Sequence, residues 1–138
     1  MNLNNKSGFT LLEIIIVIII VGVLASLALP RFFSTVEFSR STEALSASSS
    51  IRQSLERCYL GNNGNYVGCT LAAIDLADPG GSPGAHFAYA IAGQSATGYT
   101  ITATRNAING GDGTSAITLT QSAAGVARAG TGVFVGIK

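Results

Sequence analysis

The chain has 138 residues, the size of one domain. Hydrophobic residues make up 47% of it and charged residues only 11%, against about 25% charged in an average soluble domain. The formal net charge is +1 and Lys and Arg form no cluster, so nucleic acid is not favoured as the main ligand, and the apolar content argues against intrinsic disorder.

Residues 9–29 read FTLLEIIIVIIIVGVLASLAL. As a helix rising 1.5 Å per residue this run is about 31 Å long, matching the roughly 30 Å hydrocarbon core of a bilayer. Residues 1–8, MNLNNKSG, are polar and hold one basic side chain, Lys6. The positive-inside rule keeps that end in the cytoplasm and places everything after Pro30 outside. A removable secretory signal is one reading, with Ser26 and Ala28 near a cleavage site, but the run exceeds the usual ~7–15-residue apolar core of such signals. A plain anchor is another, and it leaves Glu13 without a purpose: a carboxylate in hydrocarbon costs about 2.5–3.5 kcal/mol and normally has a partner. Lys6 lies beyond i,i+4 reach, and the next cation toward the C-terminus is Arg31. A cut after Gly8 changes this. The amine of Phe9 then stands four residues from Glu13, and the same amine on a neighbouring helix, displaced along a filament axis, can neutralise the carboxylate. Glu13 becomes a docking and register device.

KSG followed by FTLLEIIIVIIIVGVLASLALP resembles the class III signal of type IV prepilins and of the related type II secretion pseudopilins. In that family a polar leader ends in Gly, the mature chain begins with Phe and its fifth residue is Glu; Gly8, Phe9 and Glu13 stand at those positions. The resemblance implies cleavage between Gly8 and Phe9 by a membrane prepilin peptidase and N-methylation of Phe9. It further implies single-pass storage in the inner membrane and polymerisation into a homo-oligomeric surface filament by an assembly ATPase and a platform protein. Adhesion or twitching motility is the implied role, with no catalysis and no cofactor; a type II secretion pseudopilin or a minor pilin is the alternative. In the family, Gly22 and Pro30 mark where the helix loosens. Chemistry alone supports part of this, because Pro30 lacks a backbone donor and is expected to kink the helix. The expected organisation is a leader over 1–8, an apolar assembly helix over 9–30 and a globular part over 31–138.

Beyond Pro30 the pattern turns amphipathic. Ala44, Ala47, Ile51, Leu55 and Cys58 recur at intervals of three and four, whereas Arg40, Ser41, Arg52 and Gln53 fall largely on other faces. The helix is expected to continue to about Leu60 and stop at Gly61, with Glu37, Arg40 and Glu43 at i,i+3 and Arg52 with Glu56 at i,i+4 as weak surface pairs or inter-subunit bridges. Cys58 and Cys69 are the only cysteines; outside the membrane a disulfide is the simplest reading, free thiols the alternative. Zinc would need more ligands than these and the single histidine, His86, supply, and no metal is expected.

After the Asp78-Pro79-Gly80-Gly81 turn the period becomes two. Residues 87–92, 99–105 and 116–121 are expected strands of an antiparallel meander packed on the amphipathic helix half, and 132–138 an edge strand or a surface segment. The fold class is therefore α+β. Three other motifs carry less. Gly80-Gly81-Ser82-Pro83-Gly84 fits G-x-S-x-G, but Pro83 and its glycines make a loop where a nucleophile elbow needs strand and helix. His86 has no acid at a readable spacing. Residues 109–115, NGGDGTS, offer a calcium ion one carboxylate, Asp112. Tyr59, Tyr66, Tyr89 and Tyr99 are read as packing residues. A binding module presenting the loops 62–66 or 109–115 to a surface or to DNA is the second functional class, and a secreted enzyme the third.

Overall fold

The computed structural model describes residues 8–138. Residues 1–7, with Lys6 and nearly all of the expected leader, lie outside the described residues. The elements are a helix α1 (Leu11–Gly61) and four strands, β1 (Phe87–Ala92), β2 (Tyr99–Arg105), β3 (Ala116–Ser122) and β4 (Gly125–Gly130). Short 3-10 turns stand at Pro79–Gly81, Ile108–Gly110 and Gly132–Phe134. The chain divides into two compact units, Met1–Thr35 and Val36–Lys138, slightly beyond the boundary expected at Pro30.

In the first unit every described residue is exposed, including the unbroken aliphatic run from Ile14 to Val21. The run is long and apolar enough to cross a membrane. Its one hydroxyl in mid-run, Ser26, donates to the Val23 carbonyl at 2.7 Å, which removes the cost of an unpaired donor in an apolar solvent. α1 is assigned as continuous helix through Gly22 and Pro30.

In the second unit the same helix becomes one-sided. Ala44, Ile51 and Leu55 are fully buried, and Ala47 and Cys58 are partly buried against them, as their spacing requires. Ser41, which the periodicity puts on another face, is buried with Ser48 and Ser54. The physical reason is size: serine is small enough to be covered along the contact stripe, and a scale of hydrophobicity does not register it. The strands pair in sequence order as an antiparallel meander, β1-β2-β3-β4, with Ile101 opposite Leu119 and Leu119 opposite Arg128. Inward residues alternate along β2, where Tyr99, Ile101, Ala103 and Arg105 are all buried. The outward face is uncharged and built of small side chains, with rows Ala90–Thr102–Thr118–Ala129 and Ala92–Thr100–Thr120–Ala127.

Two strand expectations change. Residues 125–130 form the fourth strand, which GVARAG conceals because it lacks alternating large apolar residues; five of its six residues are exposed. Residues 132–138 form no strand. Thr131 pairs with Ala116, the chain turns, and Phe134 and Ile137 enter the core, with the Phe134 ring 5.5 Å from that of Phe87. Spacing of three between the two buried residues, not two, is the sequence sign of that turn.

Cys58 and Cys69 form a disulfide that closes the loop after α1. Inside this loop Tyr66 stacks on Tyr59 at 4.5 Å and on Tyr99 of β2 at 4.8 Å, so the loop is also held by aromatic packing. Because the bridge restricts the unfolded chain, replacing both cysteines by serine is expected to lower stability by about 3 kcal/mol. Denaturant unfolding of the variant against the oxidised parent measures this, and an unmoved midpoint would refute it.

Candidate functional site

The first candidate site is built around the start of α1. Phe9 is 78% exposed and precedes the helix; Glu13 lies in its first turn and is also exposed. Thr10 is the cap: its hydroxyl oxygen accepts from the Glu13 backbone N–H at 3.3 Å, and its carbonyl accepts from the Glu13 and Ile14 N–H groups. Thr10-Leu11-Leu12-Glu13 has the spacing of a capping box, a signal present in the sequence that the reading of Glu13 as an inter-subunit group leaves unused. The helix N-terminus itself favours a negative charge in its first turn, so Glu13 stands where a carboxylate is best tolerated before any partner arrives. Adding a Cβ at Gly8 or Gly22 would meet nothing within 4 Å, so neither glycine is required by packing inside the chain.

The second polar centre is one that the sequence pattern hides. Arg105 ends β2 on the inward face and its side chain is fully buried. Its Nε donates to Glu37 Oε2 at 2.8 Å and one terminal nitrogen to Oε1 at 3.2 Å. The remaining N–H groups go to the carbonyls of His86, Asn106, Ile108 and Asn109. Arg40 joins the same Glu37 carboxylate, as its spacing suggests, and also reaches Asn109. Gly111 is obligatory here, since a Cβ would lie 1.9 Å from the Asn106 carbonyl and 2.7 Å from the Arg105 guanidinium. Arg105's hydrogen bond holds the Glu37 carboxyl below its ordinary 4.5.

The other residues singled out from sequence find local roles. Glu43 does not pair with Arg40; its two oxygens take the His86 backbone N–H and ring Nδ1 at 3.1 and 2.8 Å, a partner 43 residues away. Arg52 and Glu56 form no ion pair: Glu56 accepts from the Tyr66 hydroxyl at 3.0 Å, while Arg52 Nε is buried without a partner. Gly80 and Gly81 belong to the turn capped by Asp78, whose side chain accepts from the Gly80 N–H. Asp112 accepts from the N–H groups of Thr114 and Ser115 and from the Ser115 hydroxyl, which foremost holds its carboxyl down to about 2. Its oxygens thus serve the loop's own turn. Among the described residues no group of three His, Cys, Asp or Glu is placed to hold a metal.

Comparison with known proteins decides the family. Residues 3–29 match the prokaryotic N-terminal methylation motif, and residues 30–120 match the family described as type IV minor pilin ComP, DNA uptake sequence receptor. The chain belongs to that family of pilins. Relatives include the type IV major fimbrial protein FimA of Dichelobacter nodosus, 34% identical over 55% of this pilin and 50% of the relative. Type II secretion system core protein G of Aeromonas hydrophila is 38% identical over 46% of this pilin and 44% of the relative. A probable minor fimbrial protein of Dichelobacter nodosus is 43% identical over 37% and 32%. The pilin therefore spans half or less of the length of these curated relatives.

The Arg105–Glu37 centre is expected to make the stability of this pilin depend on pH on the acid side. Glu37 has a lowered pKa, so its contribution is complete above the unfolded value of 4.5 and disappears as pH falls through the folded value. Glu37→Gln is expected to flatten this acid limb in unfolding curves taken from about pH 7 to about pH 3. Removing Arg105 as Arg105→Ala leaves Glu37 to Arg40 alone, takes a donor from each of four carbonyls and is expected to cost about 3–5 kcal/mol at pH 7.

Proposed function

We propose that this pilin is a structural subunit of a type IV pilus filament. It is stored in the inner membrane as a prepilin, cleaved after Gly8 by a prepilin peptidase, N-methylated at Phe9 and polymerised through the apolar helix of residues 9–29. The observation that carries this reading is Glu13: an exposed carboxylate one helical turn from Phe9, at the head of an exposed apolar run, within the stretch that matches the N-terminal methylation motif. In the filament each Glu13 meets the amine of a neighbour's Phe9, and Gly22 and Pro30 are the points at which the helix loosens to pack. The 1–8 leader, 9–30 helix and 31–138 globular part are the corresponding segments.

Moving an apolar helix from lipid to like helices yields far less than moving it from water, so extraction needs external work. An assembly ATPase and a platform protein supply it. The pilin performs no catalysis, and adhesion or motility is the property of the assembled fibre. A pseudopilin role in type II secretion is supported by the likeness to core protein G and differs in abundance: few copies at a secretion complex in place of surface fibres.

One observation favours a second reading. The matched family is described as a DNA uptake sequence receptor, which makes DNA the ligand to test on this chain. Against it stands the charge inventory. Two of the arginines are consumed by Glu37, leaving Arg31, Arg52, Arg57, Arg128 and Lys138 outside ion pairs among the described residues. Under the filament reading, duplex DNA is not retarded by the mature chain at physiological salt; sequence-selective retardation with a steep salt dependence would instead establish the receptor reading.

The leading reading is tested at the N-terminus. Mass analysis of the mature chain is expected to find a start at methylated Phe9, and Glu13→Ala to insert in the membrane normally yet yield few or no fibres. Normal fibres from that variant, or polymerising material that keeps residues 1–8, would overturn it.

A further inference from the structure

Arg31 is the one charged residue between Glu13 and Glu37. It is exposed and, among the described residues, outside any ion pair. The turn it opens differs from the apolar run before it. At 100° per residue Leu29, Phe32 and Phe33 fall on one face of α1, and Arg31, Ser34 and Thr35 on the other. Phe32 and Phe33 are each 63% exposed, with their rings edge to face at 6.2 Å. The hydroxyls of Ser34 and Thr35 both donate to the Arg31 carbonyl at 2.9 Å, so the polar face keeps these donors inside the helix and offers the guanidinium outward.

Length fixes where this turn lies. Upright, residues 9–29 fill the roughly 30 Å hydrocarbon core, and a bilayer measures about 40–45 Å with its headgroups, so each headgroup layer is about 5–7 Å deep. At 1.5 Å per residue that depth takes about four residues, which are 30–33. An arginine at this level extends its head to the phosphates while its stem stays in the layer beneath, beside the two aromatic rings. Charge selects the occupant. Copies of this chain inserted at the same depth would set Arg31 against Arg31, and residues 14–36 hold no acid. A phospholipid phosphate supplies the missing anion, and its oxygens fit the fork of a guanidinium.

We propose that in the membrane-stored subunit Arg31 binds a phospholipid phosphate of the extracytoplasmic leaflet, with Phe32 and Phe33 seated in the adjoining headgroup layer. The proposal rests on the membrane storage put forward above and adds to it a lipid site that sets how deep the helix lies. An apolar run alone can slide along its own axis at little cost, because one aliphatic side chain replaces another. A single cation followed by two rings cannot, since moving inward buries the charge and moving outward wets the rings. Departure of the helix from the bilayer then requires Arg31 to give up its phosphate.

The chain contains no tryptophan, so one introduced at a chosen residue reports alone. The test reconstitutes the full chain in vesicles of phosphatidylethanolamine and phosphatidylglycerol that carry a quencher either near the headgroup or deep in the acyl chains. Phe32→Trp and Phe33→Trp are expected to be quenched more by the shallow label than by the deep one, and to be shielded from aqueous acrylamide relative to Leu60→Trp, whose site is 79% exposed. In the parent chain with isotope-labelled arginine, dephasing of a guanidinium carbon by lipid phosphorus is expected in solid-state NMR and is lost in Arg31→Gln, which reads the phosphate contact without any tryptophan. Tryptophans at 32 and 33 that are as open to acrylamide as the one at 60 would overturn the proposal. So would tryptophans shielded yet indifferent to both lipid labels, the result that a second copy covering this face would give, and so would a parent without dephasing or dephasing that survives Arg31→Gln. Val21→Trp separates the two levels: quenching by the deep label upholds the membrane-spanning run whatever happens at 31–33, and its absence removes that reading and this site with it.

Discussion

The globular part of the molecule depends on a single buried cation. An arginine drawn fully out of water is tolerable only when every donor is used, and Arg105 achieves this by gathering a carboxylate from the helix and carbonyls from two loops around one planar group. Glu37 and Arg105 are 68 residues apart, so the pair fixes where the helix crosses the end of β2. The same guanidinium lies over the Phe87 ring at 6.0 Å, which joins the polar centre to the apolar core without a gap. The loop around Asn109 holds a left-handed residue and a glycine with no room for a Cβ beside the Arg105 guanidinium.

Around that centre one helix works in two solvents. From Leu11 to Leu29 its exposed surface is apolar apart from Glu13 and Ser26, which suits lipid or copies of itself; from Val36 onward it is apolar on one stripe only. At the transition a nearly continuous apolar sequence gives way to a serine-rich one whose apolar residues are confined to a stripe. The fold keeps its outer sheet face neutral, with rows of Ala and Thr.

How much could be read beforehand follows from the range of each interaction. The apolar run, the Gly8-Phe9-Glu13 register, the one-sided stripe and the cysteine pair are local patterns, and the three strands with alternating large residues are periodic ones. The strand at Gly125–Gly130 was not legible because small residues leave no period to detect. The His86–Glu43 and Arg105–Glu37 pairs were not legible because nothing in a spacing of 43 or 68 residues indicates contact. Arg105 did carry one clue: it continues the inward alternation of Tyr99, Ile101 and Ala103, which requires a buried acid somewhere in the chain. The Thr10 cap was equally available in its three-residue spacing to Glu13.

The solvated ribbon at the end of the sheet has a consequence for how this surface can vary. β4 is attached through its backbone ladder to β3, and none of its side chains is buried. Substitution at Ala127 and Ala129, on the outward face, leaves core volume untouched, so the constraint at these positions is conformational, not steric. The outward character of the ribbon can therefore diverge between kindred fibres while the scaffold beneath it stays the same.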